Sequence, residues 1–439
     1  MKYSISIIIS LLILLASCNN ECNENRTPVT SSEDYTKYLL PVEHFQQKLN
    51  LADESIHFWK DKIEKDGEGF VYTQKLAKLY RERFDLSGDI NDVKHSDFYF
   101  RKTLDKTPYT KVPLIQNLAS NAITQHKFQT ALRYNNDILE SAEGRYLTGL
   151  VYFDALMETG HYYKAKSVLE RLDPKNTFGF LVRSSKLHDL EGGLEKAIAD
   201  MEAAAELVGP SNKSLYCWAW SNLGDYYGHV GKYSQSYRSY LKVLEVDPGY
   251  LYALKGIAWI AFSNDRNPEE AKRLLEYVLE RKPESLDLML TLAEIEEFSG
   301  NTSEKDRWIA RFLEEASKED YGSMYVKYLI DLQLEEFGSP GEALTLAKNE
   351  VKKRGTFETY SWLAYSYLKS GDSEKALRVV KSEVLPYDYE PEVQYRLAKV
   401  YKASGDTKKA RHYLVQAAEA SYELGPVMAE KIEGELKSL

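Results

Sequence analysis

The residues able to carry chemistry are few and scattered. Eight histidines are spread along the 439-residue chain, with no His-x-x-x-His pair and no carboxylate at metal-ligand spacing. They are expected to be surface or packing residues. No Gly-x-Ser-x-Gly elbow, phosphate loop or dinucleotide fingerprint is present. Of the three cysteines, Cys18 and Cys22 lie near the start and only Cys217 lies in the body of the chain. Cys217 has no second thiol to pair with and no metal-ligand neighbours, so it is expected to be a small buried residue. Cys22 could pair or stay free. The basic runs Lys352-Lys353-Arg354 and Lys408-Lys409 are short, and the net charge is −10. Solvated helix faces explain such runs, and nucleic-acid binding is disfavoured. No catalytic residue, cofactor or metal is expected, and the chain is expected not to be an enzyme.

A chain without reactive groups must act through the surface its elements build. Leu363, Ala364, Tyr367, Gly371 and Ala376 recur as Leu397, Ala398, Tyr401, Gly405 and Ala410, each 34 residues on. Within one period, Trp220, Leu223, Gly224 and Tyr227 are three, four and seven apart and share one helical face. Gly224 permits close approach of a partner helix, and Gly231 a turn that a side chain would hinder. Ser236 and Tyr240 face back from a second helix, which Pro248 ends. Weaker copies are marked by Leu118-Ala119 with Ala131, Gly160 with Ala165, Gly192 with Ala197, and Gly338 with Ala343. Asn267-Pro268-Glu269-Glu270 is a strong helix start. A loop around Ser87-Gly88-Asp89 is expected to be long. No segment has strand periodicity.

Trp220, Leu223-Gly224, Tyr227, Gly231, Ser236, Tyr240 and Pro248 resemble the tetratricopeptide repeat, a helix–turn–helix unit of about 34 residues. The resemblance implies an all-α chain: a right-handed α-solenoid of about ten hairpins. Ser236 replaces the usual Ala. At the start, Met1-Lys2, the apolar run Ile5 to Ala16 and small residues read as a secretory signal, too short to span a bilayer comfortably. Leu15-Ala16-Ser17-Cys18 resembles a bacterial lipobox, which implies cleavage before Cys18 and its lipidation. The expected organisation is a signal peptide over 1–17, a disordered tether over 18–40, an entry helix over 41–70, the solenoid over 71–424 and a C-terminal capping helix over 425–439. The cap is expected to present one polar face to solvent.

In this family the first helix of each repeat lines a concave surface that contacts ligands. Matching positions imply a groove of Lys255, Trp259, Phe262, Glu294, Tyr325, Tyr328, Tyr365, Tyr395 and Lys399. Lys255 with Trp259, and Tyr395 with Lys399, are four apart and can share a face. Aromatic residues beside cations suit peptide or sugar recognition. Trp259 stands where a carboxylate-clamping member would carry Asn, which argues against that mode. The resulting expectation is a scaffold for a protein or peptide partner, held by lipid on Cys18 to the envelope of a Gram-negative bacterium. That site is at the outer membrane, facing the periplasm or the surface. The alternatives are a glycan-binding lipoprotein and an accessory subunit of an envelope enzyme or assembly complex.

Overall fold

The computed structural model describes residues 27–139, 144–319, 321–385 and 387–439. The expected signal peptide, Cys18 and Cys22 lie outside the described residues. Within them there is no strand. Ten helical hairpins follow one another, from Phe70–Ser87 with Ile90–Lys106 to Pro391–Ala403 with Thr407–Glu419. An entry helix, Val42–Asp66, precedes them.

The repeat pattern works as its spacing suggests. Leu223, Gly224 and Tyr227 on helix Lys213–His229 are buried, as are Ser236 and Tyr240 on helix Tyr233–Val246. A Cβ at Gly224 would lie 2.8 Å from the Tyr240 ring, closer than packed atoms approach, so this glycine sets how near the two helices come. Gly231 closes the hairpin at φ +71°, in the left-handed region that glycine adopts without strain. Asn267 caps its helix, its side chain accepting from the Glu270 amide at 3.1 Å, with Pro268 in the first turn. Cys217 is fully buried, as expected.

Two expectations change. The connection after Ser87 is not long: Gly88 and Asp89 alone join two helices of 18 and 17 residues. The extra sequence lengthens the helices instead. The expected tether 18–40 is not free from residue 27 onward. Val29 and Thr30 donate backbone amides to the Asp265 carboxylate, both at 2.9 Å, and Tyr237 donates to the Ser31 carbonyl at 3.0 Å. Tyr35 is fully buried and hydrogen-bonds Glu270. Tyr277 donates to the Leu40 carbonyl at 2.7 Å. This polar segment orders because the folded hairpins supply partners for its backbone. It straps hairpins in the middle of the array to the entry helix at its start.

The C-terminal helix packs back on the array. Helix Ser421–Lys437 breaks at Gly425 (φ 80°, ψ 165°). Tyr422 and Ile432 are buried, while Glu430, Lys431, Glu433 and Lys437 are exposed, so the segment buries one face and turns a polar one to solvent. It turns back onto the first helices of earlier hairpins.

The array also coils upon itself. Arg354 reaches Glu158 at 3.4 Å, Gln129 donates to the Lys353 carbonyl at 3.0 Å, and the Tyr162 ring packs at a tilt 4.7 Å from that of Tyr387. Lys282 donates to the Asp85 carbonyl at 3.3 Å. Early hairpins therefore touch late ones, and the first helices face an enclosed interior.

Candidate functional site

Because side chains three and four apart share a helix face, several first helices project polar and aromatic side chains into that interior. Asp225 and His229, Lys255 and Trp259, Asp287 and Glu294, and Glu392 and Arg396 follow one another around the wall. The wall has three parts: an open cavity, a region covered by the C-terminal segment, and an ion-lined cavity.

The open cavity measures about 720 Å³ and is lined by Trp218, Tyr250, Tyr252, Lys255, Lys282 and Asp287 among others. Lys255 and Asp287 pair at 2.6 Å. Burial opposes the charge on both, and their mutual attraction outweighs it, raising the lysine and lowering the carboxyl. Trp218 and Tyr252 keep 37% and 45% of their surface exposed. They offer flat apolar area beside a fixed ion pair.

The covered part holds Trp259, whose indole Nε1 donates to the Tyr422 carbonyl at 3.0 Å; Ser263 Oγ donates to the same oxygen at 2.6 Å. Glu294 lies against Gly425, its Oε1 buried without a hydrogen-bond donor. Burial first, then repulsion from Glu297, pushes its carboxyl up to about 8. Lys431 opposes this only weakly, being drawn to Glu297 at 3.4 Å. Lys399 and Lys402 both pair with Glu435 of the C-terminal helix.

The ion-lined cavity, about 370 Å³, lies between Lys327, Arg354, Glu358, Trp362, Glu390 and Arg396. Most charges are matched: Arg396 sits 2.9 Å from Glu392, and Arg354 sits 3.2 Å from Glu350. Glu390 is not, and is pushed up to about 8 by burial and then by Glu423, Glu358 and Asp189. Trp362 presents a buried Nε1 with no hydrogen-bond partner.

The residues expected to form the groove separate accordingly. Lys255, Trp259, Glu294 and Tyr328 reach the interior, the last two sharing a shallow pocket of about 180 Å³. Phe262 lines the small cavity beside Trp259 from the core side. It is fully buried, its ring edge-on to Trp259 at 5.9 Å and to Phe298 at 5.5 Å. Tyr365 is likewise a packing residue, 3% exposed, donating to Glu335 at 2.8 Å. Tyr325 is half-buried, edge-on to Phe312 at 5.8 Å. Tyr395 is half-buried with Lys399 above its ring at 5.9 Å. Trp218, Tyr252, Asp225, His229 and Tyr422 were not expected at the site. Trp218 lies two residues before Trp220, off the face that the repeat spacing marks, so the spacing carried no signal for it. For Tyr422 the available signal was Gly425-Pro426, which marks a turn rather than a straight cap.

The tetratricopeptide repeat model matches residues 219–250 and 391–423, two of the ten hairpins. Solved structures with some similarity include a tetratricopeptide repeat protein from Parabacteroides merdae, 19% identical, TM-score 0.35, covering 59% of this chain and 97% of that one. A human IFIT1 dimer with PPP-AAAA is 14% identical, TM-score 0.44, covering 88% and 93%. MamA is 19% identical, TM-score 0.29, covering 37% and 94%. No curated protein matches the sequence significantly. No helix among the described residues is long and apolar enough to cross a membrane.

Proposed function

We propose that this chain is a non-catalytic scaffold of the bacterial cell envelope that binds a segment of a partner protein along the inner face of its coiled array. The observation that carries the proposal is the 720 Å³ cavity with Trp218 and Tyr252 exposed beside the Lys255–Asp287 pair. Large aromatic rings left to water within a concavity are the usual anchors of a recognised segment. The short apolar run ending in Leu-Ala-Ser-Cys supports lipid attachment at Cys18, which would place the scaffold on the outer membrane.

A photo-crosslinking residue at Tyr252 in intact cells tests the partner. The expected result is one dominant adduct with a protein, lost in a Trp218→Ala background. Absence of any protein adduct, with the variant folded, would count against the scaffold. Two exposed aromatic faces in one cavity also suit stacking on sugar rings. Glycan-array binding that disappears in Trp218→Ala would favour that second reading. Metabolic labelling with an alkyne palmitate analogue, lost on Cys18→Ala, tests the anchor.

A further inference from the structure

Among the described residues, the inner face already holds one peptide: the chain's own residues 420–426. Its recognition uses few side chains. The Tyr422 ring is 9% exposed and packs 4.7 Å from the Tyr233 ring. It lies over Gly228, where a Cβ would come within 2.6 Å of it. The Tyr422 carbonyl accepts from Trp259 and Ser263. Three residues on, Gly425 passes between Trp259 and Glu294 in the left-handed region, and a Cβ there would lie 3.0 Å from the indole and closer still to the carboxylate. The slot therefore selects an aromatic ring, one carbonyl, and a glycine at the third position after the ring.

The resident segment fits this slot incompletely. A cavity of about 170 Å³ remains beside Tyr422, between Asp225, Lys255, Trp259 and Thr291. Glu423 enters a wall where Asp189, Glu390 and Glu392 oppose its charge and His229, at 3.6 Å, is its nearest positive partner. Of the cations lining the same cavity, Arg354 and Arg396 are already paired with Glu350 and Glu392, and Lys327 forms no ion pair with Glu423. Glu294 faces the turn without a donor. A carboxylate among carboxylates is the wrong charge for that position.

We propose that this slot is the specificity site of the inner face. It binds, in place of residues 420–426, a partner peptide with an aromatic residue, a basic residue directly after it, and glycine at the third position. This rests on the peptide-scaffold reading above and names the class of segment it takes. The chain's C-terminal segment is then a weak internal competitor, displaced when a basic peptide arrives.

The test uses the full chain and a fluorescent synthetic peptide of residues 417–430 carrying Glu423→Lys. Gly425→Ala in the full chain is expected to expel the resident segment and to tighten peptide binding at least tenfold over the parent chain. Adding Gly228→Ala is expected to abolish that binding. Should Gly425→Ala fail to fold, Glu423→Lys in the full chain serves instead. It improves the resident fit, and peptide affinity is expected to fall. Equal affinity for the parent chain and either variant, or binding indifferent to Gly228→Ala, would overturn the slot. The crosslink from Tyr252 reports separately: its survival with a failed slot would leave the scaffold reading standing, and its loss would remove both.

Discussion

Glu294→Gln is expected to tighten the docking of residues 421–437 at neutral pH and to flatten its pH dependence. The carboxyl is buried against Gly425 and Trp259, faces Glu297 and Glu392, and sees Lys431 as its one cation. Its value is pushed from 4.5 to about 8, so at pH 7 the docked state holds a proton that the undocked state has released. That costs about 1.4 kcal/mol for each pH unit between 4.5 and 7, about 3.5 kcal/mol as an upper bound. Relaxation around Lys431 and entry of water reduce this to about 1–2 kcal/mol. The sign follows from the upward shift: the contribution is most favourable below about 4.5, declines as pH rises, and is fully lost above about 8. Glutamine carries no proton to lose and brings a donor to the buried site. Hydrogen exchange of the amides in 421–437, corrected for intrinsic rates at pH ~5, ~7 and ~9, measures the difference. Protection in the variant is expected to exceed the parent by about five- to thirtyfold at pH ~7 and to match it near pH ~5. A variant with equal or weaker protection at pH ~7, or with the parent's pH slope, would refute the placement of this carboxyl.

Other perturbations separate packing from recognition. Tyr365→Phe removes the hydrogen bond to Glu335; it is expected to cost about 1 kcal/mol in denaturant unfolding and to leave the Tyr252 crosslink unchanged. Asp265→Ala removes the acceptor for Val29 and Thr30; protease cleavage between residues 27 and 40 is expected to accelerate about tenfold, with the hairpins intact. Cys217, fully buried and with its thiol pushed up to about 11 by burial and then by Asp247, is expected to resist maleimide labelling until the chain unfolds. Rapid labelling of the native protein would show that its neighbourhood opens.

The hairpins were legible because their determinants are local. Leu397, Ala398, Tyr401 and Ala410 are buried where a 34-residue period places them, and caps such as Asn267 act over three residues. What the period does not carry is how the array closes. Contacts such as Arg354 with Glu158 join residues 196 apart, and no spacing rule announces them. The groove suffers from the same gap. Trp259 and Phe262 are three apart on one helix, yet one meets the C-terminal segment and the other fills the core. A repeat-based match assigns both to one face, because it assumes a straight wall. The polar segment 27–40 has too little apolar surface to fold alone, and composition suggested a tether. Its order comes from acceptors on Asp265 and Glu270 that exist only once the hairpins have stacked.

The N-terminal strap changes how the molecule would hang from a bilayer. Val29 is pinned to Asp265 near the middle of the array, and only ten residues separate it from Cys18. Even drawn out fully, those residues reach about 40 Å. With lipid on Cys18, the protein would be slung by its waist rather than dangled by one tip. Both of its ends would then swing at similar height above the lipid, and a partner would approach it side-on.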